Sequence, residues 1–92
     1  MLLALMLSLS LAEASLTGVV KDTTGAVVVG AAVIIQTASA TAQTVTGPDG
    51  RFTFDKAPEG TATLVVRAGG FAEKKQPVAG SSELEIVLSP AS

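Results

Sequence analysis

The side chains that could do chemistry in this chain are a few carboxylates and lysines, because the sequence contains no His, Cys, Trp or Tyr. Zinc sites, iron–sulfur sites and nucleophile–histidine systems all need His or Cys. We therefore expect no cofactor and no catalysis. The net charge is −2, and no basic cluster is longer than Lys74-Lys75. Binding to phosphate groups needs several cations on one face, so nucleic acid is not expected as a partner.

Three aspartates could in principle bind Ca²⁺, which takes six to eight oxygen ligands. Asp49 and Asp55 flank a short run with two phenylalanines, and Asp22 lies in a separate loop. Their spacing does not gather them as in a calcium loop. Asp in a turn usually accepts hydrogen bonds from its own backbone, so we interpret all three as structural.

Two further sets of charged residues have the chemistry of possible sites. Glu83 and Glu85 alternate along one strand, so they face the same solvated side and do not oppose each other across a substrate. Lys21 could form an isopeptide cross-link of the kind found in pilin-type sandwiches. The chain has no Asn, and no Asp lies on the last strand as an acceptor, so Lys21 is interpreted as a solubilising residue.

Carbohydrate remains an alternative ligand, although the exposed Trp or Tyr on which a sugar usually stacks is absent. The segment Gly47-Pro48-Asp49-Gly50 is rich in glycine. It lacks the lysine and the strand–loop–helix context of a phosphate loop, so it is predicted to be a hairpin turn.

Residues 1–14 are apolar up to Leu11 except for two serines, and they end in Ala12-Glu13-Ala14. A short apolar run followed by small-x-small predicts a signal peptide, cleaved here after Ala14. It is too short to span a bilayer. Because the usual basic residue at the start is missing, either the true start lies upstream or the signal is weak. The alternative is an apolar helix packed on the domain.

From Ser15 onward, apolar and small polar residues alternate with the period of a β-strand. The alternation and the intervening turns predict one all-β Greek-key sandwich of about seven strands over residues 15–88, with no long helix. Residues 74–77 are predicted to form an outer strand, because Lys and Pro there discourage edge pairing. Residues 89–92 have the composition of the beginning of a linker, so the chain is expected to be the front part of a longer protein.

The predicted core and turn residues follow from this pattern. Turns are predicted where proline fixes φ and glycine accepts a positive φ. Residues 26–29 form an apolar patch, and the loops at 23–30 and 38–43 are predicted to be adaptable enough for contact with a partner. The core residues are Val33, Ile35, Leu64, Val66, Phe52, Phe54 and Phe71; the turn residues are Asp49, Gly50, Pro58 and Gly60; the contact residues are Val27, Val28 and Val29.

Four blocks, in the same order and at similar spacing, resemble the carboxypeptidase regulatory-like domains. Those domains open with a "GxVxDxxGxxxPGAxVxL" run, followed by "TDxxGxFxF", "LxPGxYxLxV" and "xxGF". The chain departs from the pattern at Val29, where the family has Pro, and at Ala62, where it has Tyr. The corresponding blocks here span residues 16–33, 46–54, 57–66 and 69–71.

The resemblance implies a transthyretin-like or immunoglobulin-like sandwich without catalytic residues of its own. Such domains accompany metallocarboxypeptidases and extend the N-terminus of TonB-dependent outer-membrane receptors. We expect an exported accessory module of the second kind, in the cell envelope or secreted. Its partner would be another protein or the rest of its own chain. The alternatives are a carbohydrate-binding-like module and an accessory domain of a secreted metallocarboxypeptidase.

Overall fold

Seven β-strands in two sheets make up the part of the chain that the computed structural model describes, which is residues 15–58, 60–79 and 83–91. No helix occurs in this part, which confirms the all-β prediction. The predicted signal at residues 1–14 lies outside the described residues. The strands are β1 (Leu16–Asp22), β2 (Ala32–Gln36), β3 (Thr41–Val45), β4 (Arg51–Phe54), β5 (Thr61–Arg67), β6 (Lys74–Ala79) and β7 (Glu83–Leu88).

One sheet has three strands in the order β4-β1-β7, and the other has four in the order β3-β2-β5-β6. All neighbouring strands are antiparallel except β1 and β7, which run parallel from Thr17 beside Glu83 to Asp22 beside Leu88. The first strand is therefore central in its sheet and depends on the last strand for one of its two neighbours.

Alternation along each strand sends one set of side chains between the sheets. In β1, for example, Leu16 and Val20 are fully buried while Val19 is only partly buried. The rings of Phe52 and Phe54 lie 6.1 Å apart at 69°, an edge-to-face contact inside this core. The other large buried residues include Val33, Ile35, Leu64, Val66, Ile86 and Leu88.

Every core residue and every strand partner in the described part lies between Leu16 and Leu88. A chain that begins at Ser15 therefore keeps all of the packing and strand pairing that the described residues make with one another. We predict that this portion folds without residues 1–14.

Phe71 differs from the other two phenylalanines because it lies at the periphery of the core. It is partly buried and pairs with Pro90 in an isolated bridge. Nearby, the N–H of Ala72 donates to the carbonyl of Ser89 at 2.8 Å, and the N–H of Ala91 donates to the carbonyl of Gly70 at 3.0 Å. Hydrogen-bonded structure thus continues past Leu88 to Ala91, into the segment whose composition suggested a linker.

The predicted contact loop at residues 38–43 is shorter than expected, because β3 begins at Thr41 and pairs along β2. The remaining turn is held by Thr37, whose N–H donates to the carbonyl of Ala40 at 2.8 Å. Its hydroxyl also accepts from the N–H of Ala40 at 3.0 Å. Half of the predicted loop is therefore an edge strand.

Candidate functional site

The predicted contact residues Val27, Val28 and Val29 do not share one environment. Val27 and Val29 are 43% and 60% exposed, but Val28 is buried. The N–H of Val28 donates to the carbonyl of Val20 at 2.9 Å, and Val27 forms an antiparallel bridge with Lys21. The segment returns along the end of β1 and is fixed there, so the prediction of an adaptable loop with three exposed valines is wrong at Val28.

Asp22 closes the turn that leads into this segment. Its Oδ1 atom accepts hydrogen bonds from the Thr24 hydroxyl at 2.6 Å and the Thr24 N–H at 2.8 Å. It also accepts one from the N–H of Ala26 at 3.1 Å. These bonds favour the charged carboxylate, the Thr24 hydroxyl most of all, and they lower the pKa of Asp22. Asp22 is therefore committed to the local structure.

Thr46 is the buried polar residue that ties the segment to the rest of the sandwich; it is 3% exposed. Its hydroxyl donates to the carbonyl of Val28 at 2.7 Å and accepts from the N–H of Ala31 at 2.9 Å. Its own N–H donates to the carbonyl of Ala31, and its carbonyl accepts from the N–H of Gly30. Four hydrogen bonds thus join Thr46 to residues 28–31.

The turn after Thr46 brings Gly50 against the same segment. Gly50 has a φ of 73°, and a Cβ atom there would lie 2.7 Å from Cβ of Val27 and 2.9 Å from the carbonyl oxygen of Val20. Beside it, Oδ1 of Asp49 accepts from the N–H of Arg51 at 3.1 Å. Glycine is thus required at this position both by backbone conformation and by space.

The outer face of the three-stranded sheet carries a charged cluster of Lys21, Arg51, Glu83 and Glu85. Lys21 Nζ lies 3.1 Å from Oε2 of Glu85. Nη2 of Arg51 donates to Oε2 of Glu83 at 2.7 Å. The two glutamates share the solvated face and each meets a cation on another strand. An isopeptide cross-link from Lys21 would need an Asn or Asp side chain beside its Nζ atom. The residue that lies there is Glu85.

The described residues contain no group of three or more Asp and Glu side chains close enough to hold a metal ion. Asp55 is exposed directly after β4, apart from the turns that Asp22 and Asp49 close. In the same part of the chain, no helix has the length and apolar character needed to cross a membrane.

A shallow open groove lies near the predicted turn residues Pro58 and Gly60. Its volume is about 520 Å³, and it is lined by Thr37, Ala38, Ser39, Pro58 and Thr61. Gly60 follows Pro58 closely in the chain and has a φ of 85°. The described lining residues offer hydroxyl groups and small apolar surfaces but no charged or aromatic side chain. A tight small-molecule site usually combines aromatic surface with a few well-placed polar or charged groups.

The carboxypeptidase regulatory-like domain family matches residues 15–89, which contain all seven strands. The chain belongs to this family. The resemblance seen in the four sequence blocks is thereby confirmed. No curated protein matches the chain.

Two solved structures share the fold of this regulatory-like domain. The Bacillus anthracis TIE protein matches with a TM-score of 0.66 and 18% identity, over 84% of this chain and 16% of that protein. A streptococcal ancillary pilin matches with a TM-score of 0.55 and 11% identity, over 97% of this chain and 35% of the pilin. The chain therefore spans a minor part of each of these longer proteins.

Sequence reasoning missed two residues that organise this family member. Thr46 is the first residue of the second family block, and the family pattern gives its hydroxyl no role. Gly18 lies opposite Phe52 on the neighbouring strand, and a Cβ atom there would lie 2.6 Å from Cζ of that ring. The sequence signal for Gly18 was that the smallest residue lies on the inward face of β1, opposite an inward-facing phenylalanine on β4.

Proposed function

We propose that this regulatory-like domain is an accessory module of an exported protein, and that it acts by docking, spacing or regulation without catalysing a reaction. The observation that carries the proposal is that one β-sandwich of this family accounts for the described chain. The same fold occurs in the TIE protein and in the ancillary pilin as 16% and 35% of a much longer chain.

The contacts of the charged side chains support a non-catalytic role. Glu73 accepts from Nε of Arg67 at 2.8 Å, and the two glutamates of β7 meet Lys21 and Arg51. Asp22 and Asp49 accept from backbone N–H groups of their own turns. These carboxylates are engaged in stabilising the fold, whereas a general acid or base has to face a substrate.

The setting we propose is the N-terminal extension of a TonB-dependent outer-membrane receptor, on the periplasmic side. Two sequence features favour it: the signal-like residues 1–14, which end in small-x-small, and the family resemblance described above. In this setting a rigid sandwich would place its strand edges and loop ends at a fixed distance from the membrane.

Protease protection of the natural full-length protein tests this setting. An epitope tag placed at Gly69, an exposed turn position with open space around it, reports the domain in cell fractions. We expect the tag in the outer-membrane fraction, resistant to external protease in intact cells and cleaved once the outer membrane is permeabilised. Recovery in the culture medium would support the secreted-peptidase alternative instead, and recovery in the cytoplasm would overturn export altogether.

Titration of the chain from Ser15 onward with polysaccharides tests the docking role against carbohydrate binding. We expect no saturable binding, because the described surface has no Trp or Tyr on which a sugar could stack. Saturable binding of one polysaccharide class would replace the docking proposal.

A further inference from the structure

The four edge strands of the two described sheets are not equally protected against pairing with another chain. β4 carries Arg51, β6 carries two lysines and Pro77, and β7 carries two glutamates. Charges and proline at an edge discourage strand addition. β3, with the sequence Thr-Ala-Gln-Thr-Val, has neither a charge nor a proline. It is the unprotected edge of the described sandwich.

The backbone of β3 presents hydrogen-bonding groups to this open side at every second residue. In an antiparallel pair, residues that exchange hydrogen bonds alternate with residues that do not. Thr37 bonds to Ala40, and Thr46 bonds to Ala31, at the two ends of the β2–β3 ladder. These two end pairs exchange hydrogen bonds, so every second pair between them does so as well. By this alternation Ala42 and Thr44 bond to β2. The N–H and C=O groups of Thr41, Gln43 and Val45 therefore point away from the sheet.

We propose that β3 is a docking edge for a second copy of this chain, paired antiparallel about Gln43. In that register Gln43 faces its own copy, and Thr41 faces Val45 of the second copy. Each of these facing residues points its free N–H and C=O toward the other, so all the outward groups of both strands find partners. The two four-stranded sheets become one continuous sheet across a twofold axis.

A second copy fits this edge because residues near a twofold axis meet their own copies. Like charges directly opposite each other destabilise a strand pair. The same pairing about Glu85 of β7 would place two glutamates opposite each other, and at β6 Pro77 discourages the addition of a strand. At β3 no charges meet. Val45, which is 55% exposed on the outer face, also gains a β-branched neighbour in Thr41 of the second copy.

The dimer is expected to be weak. Stable interfaces bury on the order of 1,200–2,000 Å², and a single pair of five-residue strands is small by that measure. We expect association in the micromolar to millimolar range of concentration. The inference does not depend on where the protein is located, so it stands or falls separately from the proposed function.

Sedimentation velocity and amide hydrogen exchange on the chain from Ser15 onward test this edge. As concentration rises, we expect a monomer–dimer equilibrium, with exchange slowing at the N–H groups of Thr41, Gln43 and Val45. The N–H groups of Ala42 and Thr44 are protected at all concentrations because they bond to β2. A monomer throughout, or a dimer in which those three N–H groups stay fast, would overturn the proposal.

A variant that places a charge at the proposed twofold axis, paired with a control of the same charge elsewhere, tests the register. Gln43→Lys places two lysines opposite each other, and we expect it to weaken dimerisation by about tenfold or more at low salt. Thr53→Lys makes the same charge change on an exposed residue of β4 and is expected to leave dimerisation intact. Equal effects of the two variants would mean that net charge, rather than β3 pairing, controls association. The wild-type exchange pattern decides the question even if Gln43→Lys unfolds the chain.

Discussion

Thr46 shows how one hydroxyl can hold two parts of a small fold together. Its hydroxyl donates to the buried carbonyl of Val28 and accepts from the buried N–H of Ala31. We predict that Thr46→Val, which keeps the shape but removes the hydroxyl, lowers the free energy of unfolding by about 1–3 kcal/mol, because both backbone groups lose their partner. Urea unfolding measures this.

Thr46→Ser is the control for that prediction, because it keeps the hydroxyl and loses one methyl group. Burial of one methyl group contributes about 0.8 kcal/mol, so the serine variant should lie nearer the wild type than the valine variant does. If the order were reversed, packing of the methyl group rather than hydrogen bonding would be the role of Thr46.

Gly18 has to be small for a reason that lies on two other strands. A Cβ atom there would be 2.7 Å from Cε2 of Phe52 and 2.8 Å from the carbonyl oxygen of Leu84. The ring can shift only within a packed core, and the carbonyl belongs to the backbone of β7. We predict that Gly18→Ala costs at least about 1–3 kcal/mol of unfolding free energy, the usual penalty of overpacking.

The control for Gly18 is Gly69→Ala. Gly69 has open space around its Cβ position and does not have a positive φ, so the change should stay within about 0.5 kcal/mol of the wild type. Thermal or urea unfolding of both variants gives the comparison. A tolerated alanine at position 18 would show that the Phe52 ring and the neighbouring β7 backbone can shift to make room for a Cβ atom.

Asp22 makes the stability depend on pH. Its pKa lies below the ordinary value of 3.8, chiefly because of the Thr24 hydroxyl bond. The folded state therefore binds the proton more weakly than the unfolded state. The carboxylate's contribution is fully present above the unfolded pKa and is lost as the pH falls through the folded pKa. We predict that Asp22→Asn flattens the loss of stability on acidification below about pH 4.

Urea midpoints of the wild type and of Asp22→Asn, measured at neutral and at acidic pH, check this prediction. Glu73, whose pKa is lowered by its hydrogen bond to Arg67, contributes in the same direction and remains in both proteins. The difference between the two proteins should therefore be largest at neutral pH and should shrink in acid. A constant difference would mean that the charge of Asp22 does not matter to the turn.

At the level of strands, the sequence predicts those in which apolar residues mark the buried face and misses the strand that has no such pattern. β1, β4, β5 and β7 largely alternate apolar residues with polar or small ones, whereas β2 is apolar at four of its five positions. The inward residues of these strands could be assigned. β3 has a polar or small residue at nearly every position, and it is exposed along most of its length. Among the described strands it pairs with β2 alone. Its strand character therefore comes from pairing and leaves no hydrophobic pattern in the sequence.

Strand order and the candidate contact surface were predicted less well, for related reasons. The parallel pairing of β1 with β7 joins the two ends of the domain, and no local signal encodes such a contact. The sequence alone does not distinguish the three valines at residues 27–29 from one another. Val28 is buried because its backbone bonds to Val20 and to Thr46, which depends on strands far away in the sequence.

The alternation of β7 can be tested with neighbouring residues. Ile86 is fully buried and Val87 is 42% exposed. We predict that Ile86→Ala lowers the free energy of unfolding by about 2–5 kcal/mol. Val87→Ala should change it by about 0.5 kcal/mol or less. Chemical denaturation of both variants reports the difference, and comparable losses would contradict the assignment of Ile86 to the core and Val87 to the outer face.

For the whole molecule, the main consequence of the topology is that the domain is not closed until its last strand is in place. β1 lies between β4 and β7, and β7 supplies the fully buried Ile86 and Leu88. A domain of this size has a total stability of only about 5–15 kcal/mol. The chain contains no cysteine that could add a disulfide. Packing and strand pairing must therefore supply all of the stability.

We therefore predict that a chain covering residues 15–82 is unfolded, whereas one covering residues 15–92 is folded. Without β7 the shorter chain loses two core residues, Ile86 and Leu88, and exposes the edge of β1. Two core residues at about 2–5 kcal/mol each already represent a loss comparable to the total stability of a small domain. Circular dichroism should show a cooperative thermal transition with a β-type spectrum in the longer chain and none in the shorter one. Because the decisive β1–β7 contact joins distant parts of the sequence, refolding of the longer chain should take milliseconds to seconds. A cooperative transition in the shorter chain would show that the sandwich is complete without β7, and that the parallel pair is an addition to the fold rather than its closure.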